Sequence, residues 1–346
     1  MPGKIQIKKL PAIWTLIFGA LLWLIIISYL HYLLNYEHDK RKIIAMGYMP
    51  VITNLAAPIL DHVSKDKGEV YFKALKFNSF AEMAEALRND EIQAAFMIAP
   101  LAVVLKQQGV DVKIVYIGNR HESSLVTRKE LNITNLNGLR GKTVAVPIRY
   151  SGHNLSLLKL LRENDLEDQV NIVEMNPPDM ASALISGSLD GYFVGEPFAS
   201  QSLKNGTGSL LYHVEDVWDS FICNLVMVKQ SVIEKDPAVV KMLVEGAARS
   251  GLWTEKNLQQ AAKIVSRYWN QPLDLVEYTL TEPKERFVYD RFTPAQKEMQ
   301  EIADLMVQFG LTDGNNIQGL VDDRFAKSVN RQNISDLNSI LHSQIP

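Results

Sequence analysis

Hydrophobic and polar positions change rhythm once along this chain. Residues 13–34 read IWTLIFGALLWLIIISYLHYLL, a run without a formal charge at neutral pH. As a helix it is roughly 33 Å long, against a hydrocarbon core of about 30 Å. After the basic stretch that follows, short apolar β-rich runs alternate with helix-length amphipathic ones. The order is KIIAMGY, a helix over 54–64, VYFKALKF, FAEMAEALRNDEI, AAFMIAP, a helical LAVVLKQQG and VKIVYIG. In the fourth of these, Phe80, Met83, Ala84 and Leu87 fall at i, i+3, i+4 and i+7, opposite Glu82, Glu85, Arg88 and Asp90. A second set begins near Leu139: TVAVP, a helix over 154–164, VNIVEM, a helix MASALISGS and GYFVGEP. Such alternation predicts βαβ units and a mostly parallel sheet.

Two apolar runs stand outside the sets. SSLVTRKEL lies between them and NLVMVKQSVI follows the second. They are expected to pair as antiparallel strands that carry the chain between two lobes. Beyond Asp236 the pattern reads as helical to the end. The expected fold class is α/β, with two lobes joined by two crossings and a C-terminal helical part returning to the first. Residues 43–124 plus 226–346 make lobe I and residues 125–225 make lobe II. A cleft between them is then the default binding site.

The N-terminal run is longer than the roughly 7–15 apolar residues of a cleavable signal, and LLNYEHDKRK after it contains no small residues. It reads as an uncleaved transmembrane anchor, and no cysteine near its end supports a lipid anchor. Trp14, Tyr29 and Tyr32 suit interfaces, whereas Trp23 falls near mid-membrane and His31 is expected to snorkel. Lys4, Lys8 and Lys9 balance Lys40, Arg41 and Lys42, so flanking charge alone leaves orientation open.

Composition narrows the function classes. Across 346 residues there are 39 acidic and 36 basic side chains, a net charge of −3, which is no footprint for nucleic acid. A single cysteine, Cys223, excludes an internal disulfide framework and any cysteine-cluster metal site. The seven histidines do not cluster at metal-ligand spacing, and no GxSxG, HExxH, P-loop or strand-linked GxGxxG occurs. The reading therefore calls for no metal, no cofactor and no catalytic residues.

In open parallel sheets ligands bind outside the strands' carboxyl ends. That rule selects four strand-to-helix junctions: Tyr48 and Pro50 through Asn54; Ala99 and Pro100; residues 147–154, PIRYSGHN; and Glu196 with Pro197 and Phe198. At the third, Ser151, Gly152 and Asn154 sit at a helix start whose exposed N–H groups favour an anion, and Arg149 could add a charge. Ser151 capping that helix is equally expected and compatible. His153 either faces the cleft or packs sideways. Glu196 either braces the hinge or contacts ligand. Tyr48, Tyr150 and Phe198 offer an aromatic lining.

LNGLRGKTVAVP followed by a Ser/Gly/His helix start, together with MNPPDMASALISGSLDGYFVGEPFA and GYMPVITNLAAPIL, resembles the nitrate/sulfonate/taurine-type solute-binding proteins of ABC importers, the SsuA/THI5-like or NMT1-like group. The resemblance covers roughly residues 43–235 and weakens over the C-terminal helices. It implies a two-lobe type II periplasmic-binding-protein fold that closes on a small solute and delivers it to a permease working with ATPase subunits. It carries over Tyr48, Pro50, Ala99, Pro100, Ser151, His153, Glu196 and Pro197. Arg149 and Tyr150 stand where relatives commonly have Gly-Ser, so the solute does not carry over. With the family, the anchor implies residues 1–42 as a cytoplasmic tip and membrane span, and a body outside the cell. The helix start and Arg149 favour an oxyanion or sulfonate. The alternatives are a thiamine-precursor-like or other aromatic solute, a ligand sensor, or an enzyme on the same fold such as a dehydratase.

Overall fold

The structure, a computed structural model, describes residues 12–35, 41–282 and 286–341. It divides into two units, Met1–Arg41 and Lys42–Pro346. In the first, α1 (Ala12–Asn35) exposes its apolar side chains, and its span Ile13–Leu33 is long and apolar enough to cross a membrane. Lys4, Lys8, Lys9 and Lys40, counted above as flanking charges, lie outside the described residues.

The second unit opens with β1 (Lys42–Tyr48), α2 (Ala56–Ser64), β2 (Val70–Lys76), α3 (Phe80–Arg88), β3 (Ala94–Ile98), α4 (Ala99–Gln107) and β4 (Val112–Arg120). It continues through β5 (Ser123–Arg128), β6 (Thr143–Val146), α5 (Gly152–Glu163), β7 (Asn171–Glu174), α6 (Pro177–Ser186), β8 (Gly191–Gly195), α7 (Phe198–Lys204), β9 (Gly208–His213) and β10 (Ile222–Lys229). Helices α8 (Gln230–Lys235), α9 (Pro237–Lys256), α10 (Leu258–Trp269), α11 (Leu273–Thr281), α12 (Gln296–Gln308) and α13 (Arg324–Lys327) follow. The predicted periodicity of α3 holds: Phe80, Met83, Ala84 and Leu87 are buried.

Two five-stranded sheets result, in the orders β2-β1-β3-β10-β4 and β7-β6-β8-β5-β9. The orders are equivalent, with β10 and β5 in matching places. In each sheet that one strand runs against the other four. The fold class is thus α/β with two lobes, and each sheet is mostly parallel with one antiparallel strand. The two crossing strands do not pair with each other as expected. Strand β5 pairs with β8 and β9, and β10 pairs with β3 and β4. Each is an apolar, centrally buried strand, and such a strand needs neighbours on both sides.

Strand β9 escaped the sequence reading because GSLLYH is a half-exposed edge strand with a weak apolar pattern. The C-terminal expectation also needs correction. After α12 the described residues hold only the four-residue α13 and a 3-10 turn, Asn338–Ile340. That tail is fixed instead by Arg249 of α9, whose buried guanidinium donates to the carbonyls of Asn330, Gln332, Asn333, Ser339 and Ile340. One apolar core lies under α2, α9 and α10; another runs from α3 and α4 into the second lobe.

Candidate functional site

The first junction is a tight turn pressed between the sheets. Residues from Tyr48 to Asn54 are all buried, and Ile52–Asn54 form a 3-10 turn. Asn54 braces it from inside: its amide donates to the carbonyls of Met49 (3.2 Å) and Phe96 (3.4 Å), and its oxygen accepts from Asn224 Nδ2 at 2.9 Å. A Cβ on Gly118 of β4 would lie 2.5 Å from the Thr53 carbonyl, so glycine permits that approach. Tyr48 points elsewhere. Its hydroxyl donates to the Tyr268 carbonyl of α10 at 3.2 Å, inside the first lobe's core. Pro50 is buried within the turn, and Ala99 and Pro100 form the buried first turn of α4.

At the third junction Ser151 caps α5, its Oγ accepting from Asn154 N at 3.1 Å, while Asn154 Nδ2 donates to the Arg149 carbonyl at 2.8 Å. Arg149 is exposed, with its guanidinium 4.8 Å from the Tyr150 ring centroid. Gly152 lies against Phe221, 2.7 Å from where a Cβ would sit. His153 is buried edge-on to Phe193 and Phe221, with Nε2 2.9 Å from Ser123 Oγ. Its Nδ1 has no partner among the described residues. Burial pushes its pKa down to about 3, so the ring is neutral at physiological pH.

The fourth junction meets the first. The Glu196 carbonyl accepts from Ile52 N at 2.9 Å, a backbone bond between the lobes. The Glu196 carboxylate accepts from Ser200 N at 2.7 Å and lies 3.9 Å from Arg286 Nη1. Burial raises its pKa, partly offset by the Ser200 bonds and Arg286. Phe198 is buried, its carbonyl accepting from Tyr192.

Several of these neighbours were missed in the sequence. Glu122, in the short link between β4 and β5, accepts from Glu196 N at 2.5 Å and from Cys223 Sγ at 3.3 Å. It and His121 both have φ of +68°, a region where most side chains are strained. Burial, then the Glu196 charge, pushes the Glu122 pKa up to about 8. The Cys223 thiol is driven well upward by burial and by Glu122, which leaves it protonated and unreactive. Asn224 Nδ2 donates to Thr53 Oγ1 at 2.6 Å as well as to Asn54. Arg286 bonds Glu215 through Nε (2.6 Å) and Nη2 (3.1 Å), the Ser123 carbonyl at 3.0 Å and Ser124 Oγ at 3.3 Å. The available signal was polar residues placed where the chain changes sheets: Glu122 and Ser123 at one crossing, Asn224 at the other.

Away from this hinge side, the tips of β1, β2, β6 and β7 border a half-open cavity of about 280 Å³ between the lobes, lined on one side by Met49, Ser79, Phe80 and Ala81 and on the other by Pro147, Ile148, Glu174, Met175, Asn176 and Pro177. No group of three or more metal-ligating side chains occurs among the described residues.

Residues 38–267 match the NMT1-like family. The chain belongs to that family. A putative aliphatic sulfonates-binding protein of Bacillus subtilis strain 168 is 24% identical over 306 residues, which is 84% of this chain and 89% of the relative. The ligand-binding component of an ABC-type import system from Staphylococcus aureus, solved with zinc bound, superposes with a TM-score of 0.76 at 24% identity, covering 84% of this chain and 100% of that one. The periplasmic nitrate-binding protein NrtA from Synechocystis PCC 6803 gives 0.75 at 13% identity, covering 83% and 88%. These likenesses establish the binding-protein fold of this NMT1-like chain.

Proposed function

We propose that this chain is the solute-binding subunit of an ABC importer, tethered by α1 with its body on the outer face of the membrane, and that it holds an anionic group between the lobes. The carrying observation is that the carboxyl-end junctions of both sheets converge, joined by the Ile52–Glu196 bond, beside the N-terminus of α5 and the unpartnered Nδ1 of His153. Helix N–H groups favour negative charge without a full cation. Bonds that span two lobes exist together only in the closed form, so a ligand that adds to them favours closure. The Bacillus subtilis relative, a putative aliphatic sulfonates-binding protein, supports a sulfonate-type solute.

Binding fits the chemistry better than catalysis. His153 and Ser123 form the first link of a base–nucleophile array, but no carboxylate orients the other ring nitrogen among the described residues. A histidine with its pKa near 3 is also a weak base at neutral pH.

The test is thermal unfolding and calorimetric titration of the full chain in micelles with nitrate, taurine and alkanesulfonates. A ligand at a hundredfold excess over Kd adds about 2.7 kcal/mol of stability. An absence of response to every anion overturns the reading. Protease digestion of the body in intact cells, with the cytosol shielded, checks its placement.

A further inference from the structure

We propose that His153, Ser123, Cys223 and Glu122 form one hydrogen-bonded relay, and that a proton on Glu122 makes His153 present Nδ1–H, a donor suited to an anion. This rests on the reading above, in which an anionic group sits beside that nitrogen. Ser123, Cys223 and Glu122 are then positioning residues for the solute, acting on it only through the imidazole ring.

Geometry supplies the chain. His153 Nε2 lies 2.9 Å from Ser123 Oγ, Ser123 Oγ lies 3.8 Å from Cys223 Sγ, and Cys223 Sγ lies 3.3 Å from Glu122 Oε1. All of these side chains are buried, so water does not compete for the links. Glu122 closes one end: its Oε2 accepts from Glu196 N at 2.5 Å, which leaves Oε1 to meet the thiol. Nδ1 of His153, with no partner among the described residues, is the open end. Thr53, whose Oγ1 accepts from Asn224 Nδ2 at 2.6 Å, donates to Cys223 Sγ at 3.9 Å whichever way the relay runs.

Each hydroxyl or thiol has one proton to give, so the relay runs in one of two directions. With Glu122 ionised, the thiol donates to Oε1, Ser123 donates to Sγ and the ring donates from Nε2, which leaves a bare lone pair on Nδ1. With Glu122 protonated, Oε1 donates to Sγ, the thiol donates to Ser123 Oγ and Ser123 donates to Nε2, which puts the ring's proton on Nδ1. The two states differ by one proton. It enters at Nδ1 as Nε2 gives its proton to Ser123, Ser123 gives its own to Sγ and the thiol gives its own to Glu122. Ring, hydroxyl and thiol are neutral before and after, and Glu122 alone changes charge.

Surrounding charges decide which state holds. Glu122 is faced by Glu196 from the fourth junction, by Arg286 and Tyr289 from the segment ahead of α12, and by Cys223 from β10. Burial, then the Glu196 charge, outweighs Arg286 and the hydrogen bonds and holds Glu122 near pKa 8. Burial alone keeps the ring, with its pKa near 3, from retaining the proton itself. At neutral pH the protonated state prevails and Nδ1–H faces the anion. As pH rises past about 8 the lone pair takes its place and repels it.

The experiment follows the His153 tautomer by ring-nitrogen NMR of the full chain in micelles, carrying isotope-labelled histidine, and titrates nitrate, taurine and methanesulfonate by calorimetry across the same pH range. The expected result is Nδ1–H below about pH 8 and Nε2–H above it, with anion affinity falling toward about tenfold per pH unit on the alkaline side. Glu122→Gln, whose amide donates to Sγ as the protonated carboxyl does, should hold Nδ1–H at every pH. Cys223→Ser should keep the switch, whereas Cys223→Val and Ser123→Ala, which carry no proton, should abolish it. Should either of those variants unfold, Glu122→Gln decides alone. A tautomer that ignores pH in the unaltered chain, or that still switches in Glu122→Gln, Cys223→Val or Ser123→Ala, overturns the relay, and binding of any anion then leaves the site reading intact. Switching as expected with none of the anions bound supports the relay and overturns the anion reading. Neither switching nor binding overturns both.

Discussion

The hinge side of the cleft and its outer cavity are built on opposite terms. On the hinge side, Arg286 reaches Glu215, Ser123, Ser124 and Glu196, while Arg120 makes a two-point bond to Glu298 (2.7 and 2.9 Å) and donates to the Arg291 carbonyl. Arg286 ties the segment ahead of α12 to β5, and Arg120, at the end of β4, ties that strand to the same segment and to α12 itself. The outer cavity mixes Met49, Phe80, Ile148, Met175 and Pro177 with polar Ser79, Glu174 and Asn176. Buried charge is costly unless paired, so the polar seam fixes one geometry, whereas the half-open cavity, with its mixed lining, sets no such pairing requirement.

The sharpest way to break that contrast is Arg286→Ala. Removing one partner of a buried ion pair leaves Glu215 and the Ser123 carbonyl without their donors, at a cost of about 3 kcal/mol. Urea unfolding of the full chain in micelles reads the loss directly. Glu215→Gln should cost less, because an amide oxygen still accepts from Arg286. A loss below about 1 kcal/mol for Arg286→Ala would mean that solvent replaces the seam's bonds.

Close approach of backbones sets the next effect. Gly118→Ala places a methyl 2.5 Å from the Thr53 carbonyl, a backbone atom that can move only by shifting the whole first turn. A loss of about 2 kcal/mol is expected, with weaker solute binding. Gly152→Ala meets the Phe221 ring at close range and the Ile222 carbonyl only at 3.6 Å, and should cost less, since a side chain can rotate away. Equal losses in the two variants would remove the turn from the list of rigid parts.

The hinge side also titrates. Glu122, held near pKa 8 by burial and then by Glu196, keeps its proton in the folded state at pH values where the unfolded chain, near 4.5, has lost it. Stability therefore falls as pH rises from about 4.5 to about 8, by up to about 1.4 kcal/mol per unit. His153 works from the other end. Its folded pKa near 3 lies below the ordinary 6.5, so its contribution is complete above 6.5 and is lost as pH falls toward 3. Glu122→Gln should flatten the alkaline limb of urea midpoints measured between pH 5 and 8, leaving the acid limb unchanged. An unaltered alkaline limb assigns that slope to other groups.

How far the sequence announces these parts follows from what each depends on. Helix and strand periods are local, so α3, the strands of both sheets other than β9, and the positions of the four junctions are legible from residues a few places apart. Side-chain direction is not local. Tyr48 alternates to the face toward α10, away from the other sheet, because successive strand residues point to opposite sides. The partners of Glu196 and His153 come from the two crossings and from Arg286, far along the chain, and only folding brings them together. Asn224, a polar residue beside an apolar run, together with Glu122 and Ser123 at the other crossing, is the clue the chain offers to the seam.

The smallest expected effect concerns the residue that looked most electrostatic in the sequence. Arg149 was the natural source of a positive charge for an anion, yet its guanidinium is exposed and stacked on Tyr150. An exposed contact of that kind is worth about 0.5–1 kcal/mol. The Arg149 backbone carbonyl accepts from Asn154 Nδ2 of α5, a bond that any replacement keeps. Arg149→Ala should therefore lower stability by no more than about 1 kcal/mol and anion affinity by less than about threefold. At 0.1 M salt the Debye length is about 10 Å, so even that loss should fade as salt is added. A tenfold, salt-insensitive loss in titrations at 0.05 and 0.5 M salt would place the guanidinium on the ligand in the bound form. The anion would then be held by a full charge as well as by the helix N–H groups, and the α5 N-terminus would no longer suffice as its site.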